Sequence, residues 1–248
     1  MKIKNLILDI CIRICVITFC FSGYKIFEFQ KEMRKLELEQ QEVEQIIIET
    51  KEEAIEEVPR FTAATYDNLK NVNQDYVAYL EFDSQLLSLP LVQSYDNDYY
   101  LRRSFQGKSS SQGTPFIDYR NLLSDDNITM YGHYVYADTS KMFSPLAKLK
   151  NKENYEENKI LHLYFRDEVR TYEVAYVYEY DYTKTDYDYS IRNFGSSDAL
   201  NEFLKYPNQK QFYDTGVDIY YGDSFITLQT CVRNQETKRL IVVAKEKK

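Results

Sequence analysis

Two rhythms of apolar residues divide the chain. From Leu6 to Phe29, 24 residues are mostly apolar, enough to cross a bilayer as a helix. Asp9 and Arg13 interrupt the run at i and i+4, where they can pair on one helix face and lower their cost in lipid. Lys2 and Lys4 precede it, which favours a cytoplasmic N-terminus and an extracellular remainder. With no small-x-small cleavage site before a clear break, residues 1–29 are read as an uncleaved single-pass signal anchor in the cell membrane, in preference to a cleaved signal peptide or a buried soluble helix. Cys11 and Cys15 fall within it, as apolar filler rather than lipid attachment points.

Residues 30–60 are dense in Glu, Lys, Leu and Ile, with no Gly and no Pro before Pro59, so they predict a charged helical spacer that Pro59 ends. Phe29, Met33, Leu36, Gln40, Val43, Ile47, Thr50 and Ala54 follow a 4-3 spacing, a heptad seam weakened by Gln40 and Thr50. Such a seam suits a self-associating stalk or a lone amphipathic spacer.

From Phe61 to the C-terminus the rhythm shortens to runs of Val, Ile, Tyr and Phe between turn residues. Strands are predicted near 77–82, 90–93, 114–118, 128–133, 159–165, 170–180, 224–231 and 239–245, with helices near 66–71, 141–150 and 198–206, the last behind a Ser196–Ser197 cap. Many short strands with few helices predict a mainly β domain closed into a barrel, which leaves no long edge exposed. Residues 181–198, "DYTKTDYDYSIRNFGSSD", form a long polar and aromatic insertion, a candidate wall for a substrate groove.

Composition narrows the function. The net charge of −8 argues against a protein that grips nucleic acid through its phosphates. There is no Gly-rich phosphate loop, and one Cys with two distant His lacks the spacing of a zinc cluster, so neither a cofactor nor a metal is expected. Of four cysteines, three lie in the first twenty residues. Cys231 is left alone in the globular part, so it can form no internal disulfide there and is either a buried thiol or one kept for chemistry. Of the two histidines, His162 sits inside the apolar run "ILHLYF" and reads as structural, whereas His133 follows Gly132 at a strand end, where scaffolds present reactive groups. Cysteine catalysis needs a thiolate, a group that moves protons and a donor for the oxyanion. Cys231, His133 and one of two arginines, Arg233 or Arg239, could supply these.

The surroundings of these residues add a resemblance. "TLQTC" closing a late strand, an arginine opening "RLIVVAK" eight residues later, and "YGH" about a hundred residues upstream resemble the sortases, membrane-anchored cysteine transpeptidases of Gram-positive bacteria. "NVNQDYVAYLEF", "LPLVQSYDNDYYLRRSF", "GTPFIDYRN" and "DDNITMYGHYVYADTSKMFSPLAKL" continue it in the order found in class B, from about Tyr66 to the C-terminus. The resemblance implies an eight-stranded sortase-type β-barrel over residues 61–248. It makes Cys231 the nucleophile, His133 the general acid and base, and Arg239, rather than Arg233, the oxyanion and substrate donor. It implies as partners secreted surface proteins with a C-terminal sorting motif of the Asn-Pro-x-Thr type and a peptidoglycan amine that receives them. Three positions depart from the family pattern: Tyr134 where Asn is common, Gln229 where class B commonly has Ser, and Tyr79 in place of Trp. Gln229, Thr230 and Tyr134 are the expected substrate-binding neighbours. Two other functions fit less of the pattern: a pilus-polymerising sortase with a Lys acceptor, and a non-catalytic membrane-tethered barrel used for binding.

Overall fold

The computed structural model describes the backbone of residues 2–52 and 61–247, and the side chains of 10–49 and 61–247. It divides into two compact units, residues 1–42 and 43–248. The first unit belongs to helix α1 (Lys2–Glu52). Its residues Ile10, Ile12, Ile14, Val16, Ile17, Phe19 and Phe21 are all exposed, and the helix is long and apolar enough to cross a membrane. The pairing of Asp9 with Arg13, the seam positions Thr50 and Ala54, and the stop at Pro59 lie outside the described residues.

The second unit carries the barrel. Its strands are β1 (Tyr76–Phe82), β2 (Ser88–Val92), β3 (Phe116–Ile117), β4 (Asn127–Tyr131), β5 (Ile160–Tyr164), β6 (Val169–Asp181), β7 (Phe225–Val232) and β8 (Gln235–Glu246). They close in the order β1-β2-β3-β4-β7-β8-β6-β5. Neighbours are antiparallel except β2–β3 and β4–β7, which are parallel. Each run predicted as a strand is one, and alternation sorts its residues between two faces. Leu80, Leu91, Met130, Leu161, Leu163, Val177, Ile226, Leu228 and Val242 fill the interior with almost no exposure. Each such side chain contributes roughly 1.5–3 kcal/mol by leaving water.

Two layers cover parts of the outer face. Helix α3 (Ser197–Lys210) starts at Ser196, whose hydroxyl accepts from Ala199 N–H as the sequence predicts. It lays Leu200, Phe203 and Leu204 over Tyr176, Tyr178, Phe225, Ile241 and Val243. On the opposite side, helix α2 (Ala63–Val72), capped reciprocally by Thr62 and Thr65, joins Phe61, Tyr76, Tyr79, Val92 and Tyr100 in a second outer cluster. Val43 and Ile47 belong to that cluster. These two seam positions are therefore used by the chain's own barrel. Tyr79 is fully buried there, and its hydroxyl donates to Glu44 at 3.0 Å.

The predicted helix near 141–150 is shorter and tighter, a 3-10 segment over Ser144–Lys150. Pro145 stands in its first turn, where a missing N–H removes no intrahelical bond. The last strand also differs from expectation. It begins at Gln235, not Arg239, because the chain reverses tightly at Arg233–Asn234, where Asn234 adopts φ 58°. Val232 then pairs with Gln235 while Cys231 pairs with Arg239, so Glu236, Thr237 and Lys238 bulge out of the β7–β8 ladder, although Lys238 still pairs with Asp181 of β6.

Candidate active site

The sequence candidates lie on or next to three adjacent strands of the barrel, β4, β7 and β8. In β7 the interior takes Ile226, Leu228 and Val232. Alternation therefore turns Phe225, Thr227, Gln229 and Cys231 outward. Cys231 is half-buried. Its antiparallel partner across β8 is Arg239, and residues directly opposite project to the same face. On the other side β4 runs parallel to β7, with Thr129 against Thr227 and Tyr131 against Gln229. The Gly132 N–H still donates to Gln229 O at 3.1 Å. β4 ends at Tyr131, and His133 follows two residues later, as Cys231 follows two residues past Gln229. Cys231 and Arg239 thus form a row across β7 and β8, with His133 in the loop that follows β4.

His133 is held by its backbone and its ring. Phe143 N–H donates to His133 O at 3.1 Å, and the ring's Nε2 lies 2.9 Å from Leu101 O. A carbonyl only accepts, so Nε2 carries the hydrogen of this contact and Nδ1 is the nitrogen outside it. Gly132 makes the approach possible, because a Cβ there would sit 2.4 Å from Cγ of the buried Phe143 ring. Gly132→Ala is expected to lower stability by about 1–3 kcal/mol, read as a fall in the urea midpoint. An unchanged midpoint would mean that Phe143 turns aside at no cost.

Arg239 is set by the bulge that precedes it. Its Nη1 donates to Glu236 O at 2.8 Å and Lys238 O at 2.9 Å, and its guanidinium stacks 5.1 Å from the Tyr182 ring centroid. These contacts fix the direction of a planar fork of N–H donors. Arg233, the rival, is exposed at the hairpin turn, where the strand has already ended.

The insertion after β6 is tied to β4, β7 and α3. Asn127 Nδ2 donates to Tyr189 O and Ile191 O, Asn127 N–H to Arg192 O, and Arg120 Nη2 to Ser190 Oγ. Tyr187 stacks on Tyr206 of α3 at 4.3 Å, and Tyr189 meets Tyr180 edge-on at 5.3 Å. The segment is therefore a pinned wall. Its Tyr189 hydroxyl donates to Gln229 Oε1 at 3.4 Å. Burial pushes the Tyr189 phenol up to about 12, with the Arg239 guanidinium acting the other way, so the hydroxyl remains a donor at neutral pH. Tyr182 and Tyr189 were legible only as members of an aromatic insertion.

On its other side Cys231 borders a cavity of about 320 Å3, shared with Tyr134, Lys150, Asn151, Arg233 and Gln235. Thr230 differs from its neighbours. It is fully buried, alternation turns it away from Cys231, and its hydroxyl has no hydrogen-bond partner among the described residues. His162 is on β5, with Nε2 2.7 Å from Asp83 Oδ1 and Nδ1 3.0 Å from Thr171 Oγ1, the arrangement of a structural histidine. Among the described residues no group of three or more His, Cys, Asp or Glu is placed to hold a metal.

The barrel closes with eight strands, and the one cysteine of the domain stands near the end of its seventh. The sortase-domain family model matches residues 90–247, well over half of the chain. The chain belongs to the sortase family. It is 28% identical to sortase B of Staphylococcus aureus over 253 residues, covering 99% of this chain and 98% of that protein. Sortase B of Listeria monocytogenes is also 28% identical, over 257 residues and the same shares. Among solved structures, sortase B of Clostridium perfringens superposes with a TM-score of 0.67 at 31% identity, over 73% of this chain and 99% of that one. A Staphylococcus aureus sortase B–substrate complex gives a TM-score of 0.72 at 26% identity, over 84% and 94%. This sortase is a class B cysteine transpeptidase, and the non-catalytic binding barrel is not favoured.

Proposed function

We propose that this sortase cuts a C-terminal sorting signal of the Asn-Pro-x-Thr type after Thr and joins the surface protein to a peptidoglycan amine. The facing pair of Cys231 and Arg239 across β7 and β8, with His133 two residues past the end of the adjacent β4, is the observation that supports this most. The Cys231 thiolate attacks the Thr carbonyl, and the oxyanion forms within reach of the Arg239 guanidinium. The intermediate collapses to a thioester as His133 gives a proton to the departing amine. An acceptor amine then attacks the thioester, His133 takes its proton, and the amide product leaves with the thiolate restored. Both half-reactions use the same three side chains and balance without an oxidant or cofactor.

In this reading Gln229, Tyr182 and Tyr189 line the sorting peptide's groove, and Tyr134 lines the cavity on the far side of Cys231. Thr230 supports the strand from behind. Helix α1 anchors the enzyme with its N-terminus in the cytoplasm and the barrel outside, over domains 1–29, 30–60 and 61–248.

The test uses full-length protein in detergent micelles and fluorogenic peptides of the Asn-Pro-x-Thr type, with triglycine or a cross-bridge peptide as acceptor. Cleavage after Thr with an acyl adduct on Cys231 is expected. His133→Ala is expected to lower turnover by about 10²–10⁴-fold. Cleavage elsewhere, or transfer only to the lysine of a protein subunit, would overturn the assignment of substrate or acceptor.

A further inference from the structure

The carbonyl that meets His133 belongs to a segment held with more polar contacts than a surface turn needs. Leu101 lies in the 3-10 turn Tyr99–Arg102. Its neighbour Tyr100 is buried at 3% exposure and reaches back to the chain between α2 and β1. There its hydroxyl donates to Asp75 Oδ2 at 2.8 Å and accepts from Asn73 Nδ2 at 2.9 Å. Asn73 Nδ2 also donates to Phe105 O at 2.7 Å, and its Oδ1 accepts from Asp75 N–H at 2.8 Å. The peptide on the other side is fixed as well, since Thr114 N–H donates to Tyr100 O at 3.0 Å. Gly113, at φ +61°, lies so close that a Cβ would sit 2.4 Å from Tyr100 O and 2.9 Å from Leu101 O.

These contacts leave the Leu101 carbonyl little freedom, and its ring partner is His133. We propose that Tyr100, held by Asn73 and Asp75, is a positioning residue for His133 that acts through the Leu101 carbonyl. Asn73 and Asp75 stand in the stretch that opens the domain, Tyr100 and Leu101 in the stretch after β2, and Gly113 just before β3. Three segments distant from Cys231 thereby fix which imidazole nitrogen faces the thiol. The proposal rests on the reading of His133 as the group that moves protons. A loose carbonyl would let the ring rotate and present either nitrogen, and small misplacements of a reacting group cost rate steeply.

Two variants test it in the full-length protein in nanodiscs, labelled with 15N at histidine only. Tyr100→Phe keeps the ring and removes the hydroxyl. Gly113→Ala leaves Tyr100 intact and presses on the two carbonyls. The chain has two histidines, so a third variant, His162→Gln, assigns the His133 signals. In the parent protein the His133 Nε2–H is expected to be protected from exchange with water. Both test variants should speed that exchange and lower kcat by about 10-fold with KM unchanged. Protection and kcat at parental levels in both would overturn the proposal. So would a loss of activity that tracks only the fraction of folded protein. A parent protein with a protected Nε2–H that cleaves no sorting peptide would instead sink the catalytic reading and leave the brace standing.

Discussion

Cys231→Ala is expected to leave a folded and inert protein, with peptide cleavage reduced by at least about 10⁴-fold. The nucleophile forms the bond that every later step breaks, so no neighbour can make up its loss. The side chain is half-buried and makes none of the hydrogen bonds that hold His133 and Arg239. Its removal should therefore shift stability by no more than about 1 kcal/mol. Intact mass spectrometry of the parent protein with a sorting peptide should show one acyl adduct, and peptide mapping should locate it at Cys231. Cys11, Cys15 and Cys20 are internal controls, since they are exposed on α1 and remote from the row in sequence. An adduct on one of them, or cleavage surviving in Cys231→Ala, would remove the thioacyl mechanism.

The second large effect is expected at Arg239. Donors aimed at a developing oxyanion are typically worth about 10²–10³ in kcat, or roughly 2.7–4 kcal/mol. Arg239→Ala should therefore lower kcat by about that factor while KM moves little, because the negative charge exists only after attack. Arg239→Lys keeps the charge but loses the planar fork that now spans the Glu236 and Lys238 carbonyls and the Tyr182 face, so only partial activity should return. Arg233→Ala should behave like the parent enzyme. Steady-state kinetics on the four proteins decides the matter. If Arg233→Ala were the crippled variant, the oxyanion would lie toward the hairpin turn and the roles of the two arginines would exchange.

Much of the barrel was legible because its strands obey local rules. Alternation in "FITLQTC" and "RLIVVAK" marks β7 and β8, and the Ser196 cap marks the start of α3. The heptad spacing of Val43 and Ile47 correctly marks an apolar stripe, but periodicity says nothing about what covers it. The placing of β4 beside β7 is different in kind. It depends on a parallel pairing between segments about a hundred residues apart, which no local pattern encodes, so only the order of family motifs pointed to it. The bulge at Glu236–Lys238 was missed because a strand that pauses and resumes looks in sequence like a loop followed by a strand. The Leu101 contact was hidden for a simpler reason. A backbone carbonyl has no letter of its own.

The place of the β7–β8 hairpin has a consequence for when this enzyme becomes active. β7 seals against β4 and β8 against β6, so the hairpin is the piece that closes the ring. It is also the last strand pair in chain order. Contacts between distant segments form slowly, because long loops must be ordered before any pairing rewards them. Until the hairpin docks on β4, the thiol has only the Arg239 guanidinium of its own hairpin opposite it, and the segment that carries His133 is not yet in place. A chain still emerging from a ribosome or a translocation channel therefore carries an ordinary cysteine, and its reactivity is withheld until the rest of the barrel is there to direct it.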